Sequence, residues 1–257
     1  SMIADLHDHF GVSKHEPVYT AVQVEPHRKE RELISFLRAD AVQKQIKKVL
    51  PLGISIETIT RAAITSIKKD SKLAECTPES FCQSLANCAQ VGMVPGGAFS
   101  LVNLIPFFNS KTMTYQCQMV IGWQGWLEII YRHPRVVRVD AQVVREGDLF
   151  DYEFGIHSYV QHKPMGPANR PITHFYSDCV LTNEGYVSEL IFEEDMQVIK
   201  SRSKNNIFWK NHYDAMGKKT AIIRLAKRLP KTPELELATS VEIENEIEYE
   251  KENQDGI

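Results

Sequence analysis

Residues 101–121 read LVNLIPFFNSKTMTYQCQMVI. Leu101 to Phe108 is an apolar run of strand length. Asn109, Ser110 and Lys111 are turn formers. From Thr112 to Ile121 larger residues alternate around Tyr115, Cys117 and Met119. Two such runs separated by a short polar break predict a β-hairpin.

The period differs on either side. Upstream, apolar residues recur at helical spacing from Leu33 to Leu50, where Pro51 and Gly53 interrupt them. Ser55 is an N-cap candidate for a second helix through Ile56, Ile59, Ala63, Ile64 and Ile67. Thr77 and Pro78, a cap followed by a first-turn proline, open a third helix carrying Phe81, Leu85 and Cys88, with Gly92 placed to end it. Downstream, Gly122-Trp123-Gln124-Gly125 leads into a short helix, Trp126 to Arg132. Strands are predicted at Val136 to Val144 and Leu149 to Phe154, then a proline-rich loop from His162 to Pro171. A second hairpin pairs Thr173–Leu181 with Tyr186–Phe192 about Asn183-Glu184-Gly185. The longest helix candidate, Phe208 to Leu229, is stopped by Pro230 and Pro233. Helices, then strands, then a helix argue for an α+β fold: N-terminal helices and a small antiparallel sheet of hairpins backed by a long helix. Residues 1–30 have no clear period and read as a flexible arm. Residues 31–233 form the core, and residues 234–257 form an acidic tail.

Composition narrows the class. The 257 residues are 43% apolar and 25% charged, ordinary for a globular protein. No apolar run reaches the length of a membrane span, and the N-terminus lacks the basic start and apolar stretch of a signal peptide. Five cysteines (Cys76, Cys82, Cys88, Cys117, Cys179) without short paired spacings imply neither a disulfide framework nor a zinc site, and point to a reducing, cytoplasmic setting.

The net charge of −3 hides an asymmetry. Met196 to Lys231 holds ten bases and one acid, Asp214, whereas Glu234 to Ile257 holds nine acids and one base, Lys251. A basic block before an acidic stretch indicates a nucleic-acid partner. At about 100° per residue, Lys210, Gly217, Ala221, Arg224 and Arg228 share an arc of the last helix, and Lys218 and Lys219 widen it. On that reading Gly217 and Ala221, lacking bulk, let a phosphate backbone approach between the cations. The competing reading is an ordinary solvated face. Lys200, Arg202 and Lys204 alternate with serines just upstream and read as a donor-rich loop suited to phosphate oxygens. Trp123, Trp126, Trp209, Tyr131 and Phe108 are candidate stacking platforms, although each also suits a core.

Signatures of catalysis are poor. Gly217-Lys218-Lys219-Thr220 superficially resembles a phosphate loop, but the earlier glycine is missing and the segment lies in a predicted helix. No nucleophile elbow and no two-metal carboxylate spacing occurs. No cofactor or metal is expected, and the chain reads as a non-enzyme.

The order of motifs carries a resemblance. Thr77-Pro78-Glu79-Ser80-Phe81 precedes Gly92-Met93-Val94-Pro95-Gly96. Then come Leu104-Ile105-Pro106-Phe107, the run from Cys117 to Gly125, and finally Met216 to Pro230. Over roughly Leu33 to Leu237 this series resembles the RecT family of phage and prophage recombinases. The resemblance implies ATP-independent binding of single-stranded DNA and annealing of complementary strands into duplex. It implies assembly into rings or helical filaments, and a core similar to the Red-beta and Rad-type annealing proteins. It also implies a 5′→3′ exonuclease and a host single-strand-binding protein as partners. Joined to the charge layout, it assigns DNA contact to Lys200, Arg202, Lys204, Lys210, Lys218, Lys219, Arg224, Lys227 and Arg228, with Gln124 and Arg132 as a second choice. A metal-dependent DNA-processing enzyme and a protein-interaction module are the alternatives.

Overall fold

The computed structural model describes residues 27–203 and 206–254. The N-terminal arm read from the sequence lies outside the described residues, apart from the residues that open α1. Nine helices and seven strands follow in order: α1 (Arg28–Arg38), α2 (Asp40–Val49), α3 (Ile56–Lys69), α4 (Pro78–Gln90), β1 (Val102–Asn109), β2 (Thr114–Ile121), α5 (Trp123–Tyr131), β3 (Val136–Arg145), β4 (Leu149–Glu153), β5 (Tyr159–Lys163), β6 (Ile172–Leu181), β7 (Tyr186–Phe192), α6 (Glu193–Arg202), α7 (Asn206–Asn211), α8 (Tyr213–Arg228) and α9 (Pro233–Gln254) among the described residues. A 3-10 turn, Ser71–Glu75, links α3 to α4. The α+β class and the N-terminal helices are as expected.

Local signals set several boundaries. Ser55 accepts a hydrogen bond from the Thr58 amide, and Thr77 from the Ser80 amide, so both predicted caps satisfy helix donors that would otherwise lack partners. The Asn109 side chain accepts from the Lys111 and Thr112 amides, which closes the first hairpin. Its strands pair in antiparallel register from Val102–Ile121 to Asn109–Thr114. This two-stranded ladder is tied to α4. Ser80 Oγ accepts from the Cys117 amide at 2.9 Å, and Ser84 Oγ donates to the Cys117 carbonyl at 2.7 Å.

The main sheet has the order β3–β6–β7, all antiparallel. Alternation along β6 sends Phe175, Ser177 and Cys179 to one face and His174, Tyr176 and Asp178 to the other. The first face receives α8: Ser177 Oγ donates to the Ala221 carbonyl at 2.8 Å. The second receives the β4–β5 hairpin, where Phe150 packs 5.2 Å from the His174 ring and 5.7 Å from the Tyr176 ring. Below that hairpin, the buried Asp148 carboxylate gathers His162, the Arg170 guanidinium, and the Arg145 and Met165 amides.

Several readings change. The span from Leu33 to Leu50 is two helices, broken at Ala39, where Gln43 and Thr60 complete the junction: Gln43 Nε2 donates to both the Leu37 carbonyl and Thr60 Oγ1. The span from Phe208 to Leu229 is likewise two, broken at His212, whose φ of −137° and ψ of 46° are not helical. Residues 159–163, partly assigned to the proline-rich loop, form β5 paired with β4. The acidic segment after Pro233 is helical as far as Gln254, and its Leu235, Ala238 and Val241 are buried.

Candidate nucleic-acid interface

The basic block centres on α8, which is enclosed on more sides than its charge pattern indicates. Gly217, Ala221, Ile222, Ile223, Leu225 and Ala226 are all buried. Gly217 lies against the sheet: a Cβ there would stand 2.1 Å from Phe175 Cε1. The small residues therefore serve close helix-to-sheet packing, and the idea that they admit a phosphate backbone is wrong. On a helical wheel, a small residue beside cations reads equally well as a place for a ligand or for a packed ring. Here Phe175 occupies the place.

The cations leave α8 on different flanks. Lys218 reaches α5, with its ammonium nitrogen 4.8 Å from the centre of the Trp123 ring. Lys219 reaches α9 and pairs with Glu242 at 3.0 Å. Lys227 stands 3.9 Å from Glu246. Arg228 reaches β7, donating to the Ser188 carbonyl at 2.8 Å and to Glu189 at 2.7 Å. Arg224 is exposed and has no hydrogen-bond or ion-pair partner among the described residues.

Lys200 and Arg202 lie in the last turn of α6, so the predicted loop is helical there. Lys204 lies outside the described residues. Met196 anchors α6 in a core formed with Phe175, Ile191, Trp209 and Ala221. The Lys200 ammonium stands 5.0 Å from the Tyr213 ring centre at the start of α8, and Lys210 is exposed on α7.

The second-choice pair sits at opposite ends of α5, about 12 Å apart along a helix at 1.5 Å per residue. Arg132 is committed to its neighbours: it donates to the Val91 and Gly92 carbonyls at 3.0 and 3.2 Å and to Glu128. Gln124 is exposed in the first turn, whose N-cap residue, Gly122, supplies no side-chain cap. The chain before β1 presses on this end. The Gly122 amide donates to the Leu101 carbonyl at 2.9 Å. At Gly125 a Cβ would fall 2.1 Å from that same oxygen, so glycine is needed for the approach. The approach brings Phe99, 76% exposed, into the adjoining loop. Phe99 was not singled out from the sequence.

The remaining aromatics divide. Trp126 and Trp209 are buried core residues. Tyr131 donates its hydroxyl to the Val139 carbonyl, and Phe108 packs edge-on to Tyr115. Trp123 alone among the three tryptophans is partly exposed and carries a cation.

The cysteines are free. Burial pushes the Cys88 thiol well above its ordinary range and the Cys179 thiol up to about 11. Among the described residues, no group of three or more His, Cys, Asp or Glu side chains is placed to hold a metal ion, and no helix is long and apolar enough to cross a membrane.

The fold is a small antiparallel sheet backed by a cation-bearing helix, with N-terminal helices packed alongside. Comparison with known proteins gives its class, a DNA recombination protein of the single-strand annealing kind. The model of the RecT family matches residues 57–255. The chain is 34% identical over 218 residues to Protein RecT of Escherichia coli (strain K12), covering 83% of this chain and 81% of that protein. The chain belongs to the RecT family.

Proposed function

We propose that the protein binds single-stranded DNA through its phosphates and promotes annealing of complementary strands without nucleotide hydrolysis. The observation that carries the placement of the DNA is the meeting of Lys218 with the uncapped start of α5 over the Trp123 ring. Backbone amides at a helix start favour anions, and a lysine ammonium beside them adds a full charge. Gln124 supplies a neutral donor at the same end. Arg224 and Lys227, three residues apart, extend the positive surface along the outer flank of α8. Lys200, Arg202 and Lys210 extend it toward α6 and α7, with Lys204 between them in sequence.

Annealing needs strands held by their backbones with the base edges free to pair. Cations reduce the repulsion between two strands and gain counterion-release entropy. A surface of lysines and arginines fits that demand. Membership of the RecT family supports the further readings: a homo-oligomer in ring or filament form, a 5′→3′ exonuclease and a single-strand-binding protein as partners, and action in the cytoplasm. Residues 31–233 would be the annealing core, with α9 appended to it.

The test is affinity for a labelled oligothymidylate across a salt series, comparing the wild type with the Lys218→Ala/Arg224→Ala variant. Both substitutions lie at solvent-reachable positions, so the fold is retained. Loss of affinity with a salt slope shallower by about 1.4 is expected, about 0.7 for each phosphate contact removed from a single strand. An unchanged affinity and slope would move the DNA away from α8.

A further inference from the structure

The two halves of α9 are attached by different forces. Leu235, Ala238 and Val241 are buried in the core shared with α5 and α8. From Glu242 onward the attachments given by the described side chains are polar. Glu242 pairs with Lys219 at 3.0 Å, Asn245 Nδ2 donates to the Met119 carbonyl on β2 at 3.1 Å, and Glu246 stands 3.9 Å from Lys227. Two of these three contacts engage cations of the helix assigned above to DNA. The Lys219 and Glu242 side chains are only 12% and 14% exposed, so a docked α9 withholds that ammonium from any phosphate.

We propose that the acidic half of α9 is an internal competitor for DNA: its carboxylates occupy Lys219 and Lys227 until strand phosphates displace them. The inference rests on the reading that α8 contacts DNA. Carboxylate and phosphate oxygens make the same charge-assisted bonds to an ammonium, so the two are exclusive at each lysine. The exposed Lys227–Glu246 pair is weak and is the first to yield, whereas a polyanion arriving on several cations releases counterions at each. The apolar anchor at Leu235 and Ala238 stays in place while the polar half lets go. The device sets a threshold: a lone anion meets an occupied surface, and a strand long enough to reach Lys218, Arg224 and Lys227 together opens it.

The experiment compares wild type with Glu242→Gln/Glu246→Gln for binding of a labelled oligothymidylate at low and high salt, with circular dichroism to confirm the fold. The variant should bind about three- to tenfold more tightly at low salt, and the difference should shrink as salt rises. If the double variant unfolds, Glu246→Gln alone, which leaves the Lys219 pair intact, should still bind more tightly. In the wild type, adding the oligonucleotide should speed cleavage by a glutamate-specific protease within residues 242–252. Equal affinities of wild type and variant, with cleavage indifferent to DNA, would make α9 a fixed structural helix and overturn the proposal. Absence of binding in both proteins would instead defeat the assignment of DNA to α8, and the competitor with it.

Discussion

Gly217 of α8 lies against the ring of Phe175 on β6, so close that a methyl group at that position would sit 2.1 Å from Cε1. The contact sets the distance between the helix and the sheet it covers, and through it the position of every cation on α8. Gly217→Ala should destabilise the protein by about 2 kcal/mol or more, since the ring is fully buried and has nowhere to move. Denaturant midpoints measure this. Combining it with Phe175→Leu should recover part of the loss, and strict additivity of the two would show that the contact is not the cause.

Trp123 should report DNA directly. Trp126 and Trp209 are buried, so a change in tryptophan emission on adding oligothymidylate should come from Trp123. Trp123→Phe should remove most of that change while leaving the fold intact. A signal that persists in the variant would place the strand elsewhere.

Two arginines should separate structure from binding. Arg132→Ala loses bonds to the Val91 and Gly92 carbonyls and should cost about 1–3 kcal/mol of stability, with oligonucleotide affinity nearly unchanged. Arg224→Ala, exposed, should leave stability within about 0.5 kcal/mol and weaken binding, lowering the salt slope by about 0.7. Thermal melts beside salt titrations of both variants check the pair.

Asp148 links stability to acid. Burial alone would raise its carboxyl, but donors from Met165, His162, Arg145 and Arg170 outweigh that and hold it below the ordinary carboxylate range. A carboxyl depressed in the folded state contributes stability in full above its unfolded value of about 3.9 and loses it as pH falls below. Asp148→Asn should cost about 3 kcal/mol at neutral pH, because it removes the buried anion on which the Arg170 guanidinium and the Arg145 and Met165 amides converge. The gap between wild type and variant should narrow below about pH 4. A constant gap from neutral to acid pH would show that the carboxylate charge is not what the network needs.

The fold was legible where neighbours in sequence decide the structure. Ser55, Thr77 and Asn109 act on amides two or three residues away, so their helices and hairpin could be read directly. The break at Ala39 could not, because Gln43 and Thr60, one of them on another helix, complete the junction. Lys200 to Arg202 looked like a loop because polar residues there mask the period, and a single buried anchor, Met196, holds α6. In α9, glutamates alternating with apolar residues obscured the helical spacing of Leu235, Ala238 and Val241, which only packing reveals. In the site, the basic residues were visible as a block. Their dispersal to α5, α9 and β7 was not, because charge on a helical wheel does not say which faces the sheet and the neighbouring helices will cover.

The central claim is annealing through the surface shared by α5 and α8. Its most direct test mixes two complementary fluorescent oligonucleotides with the protein, without nucleotide or metal, and follows duplex formation for wild type and for the folded Lys218→Ala/Arg224→Ala variant. Strong acceleration by the wild type and little by the variant is predicted. A wild type that leaves the spontaneous rate unchanged, or a variant that anneals as fast as the wild type, would contradict the account.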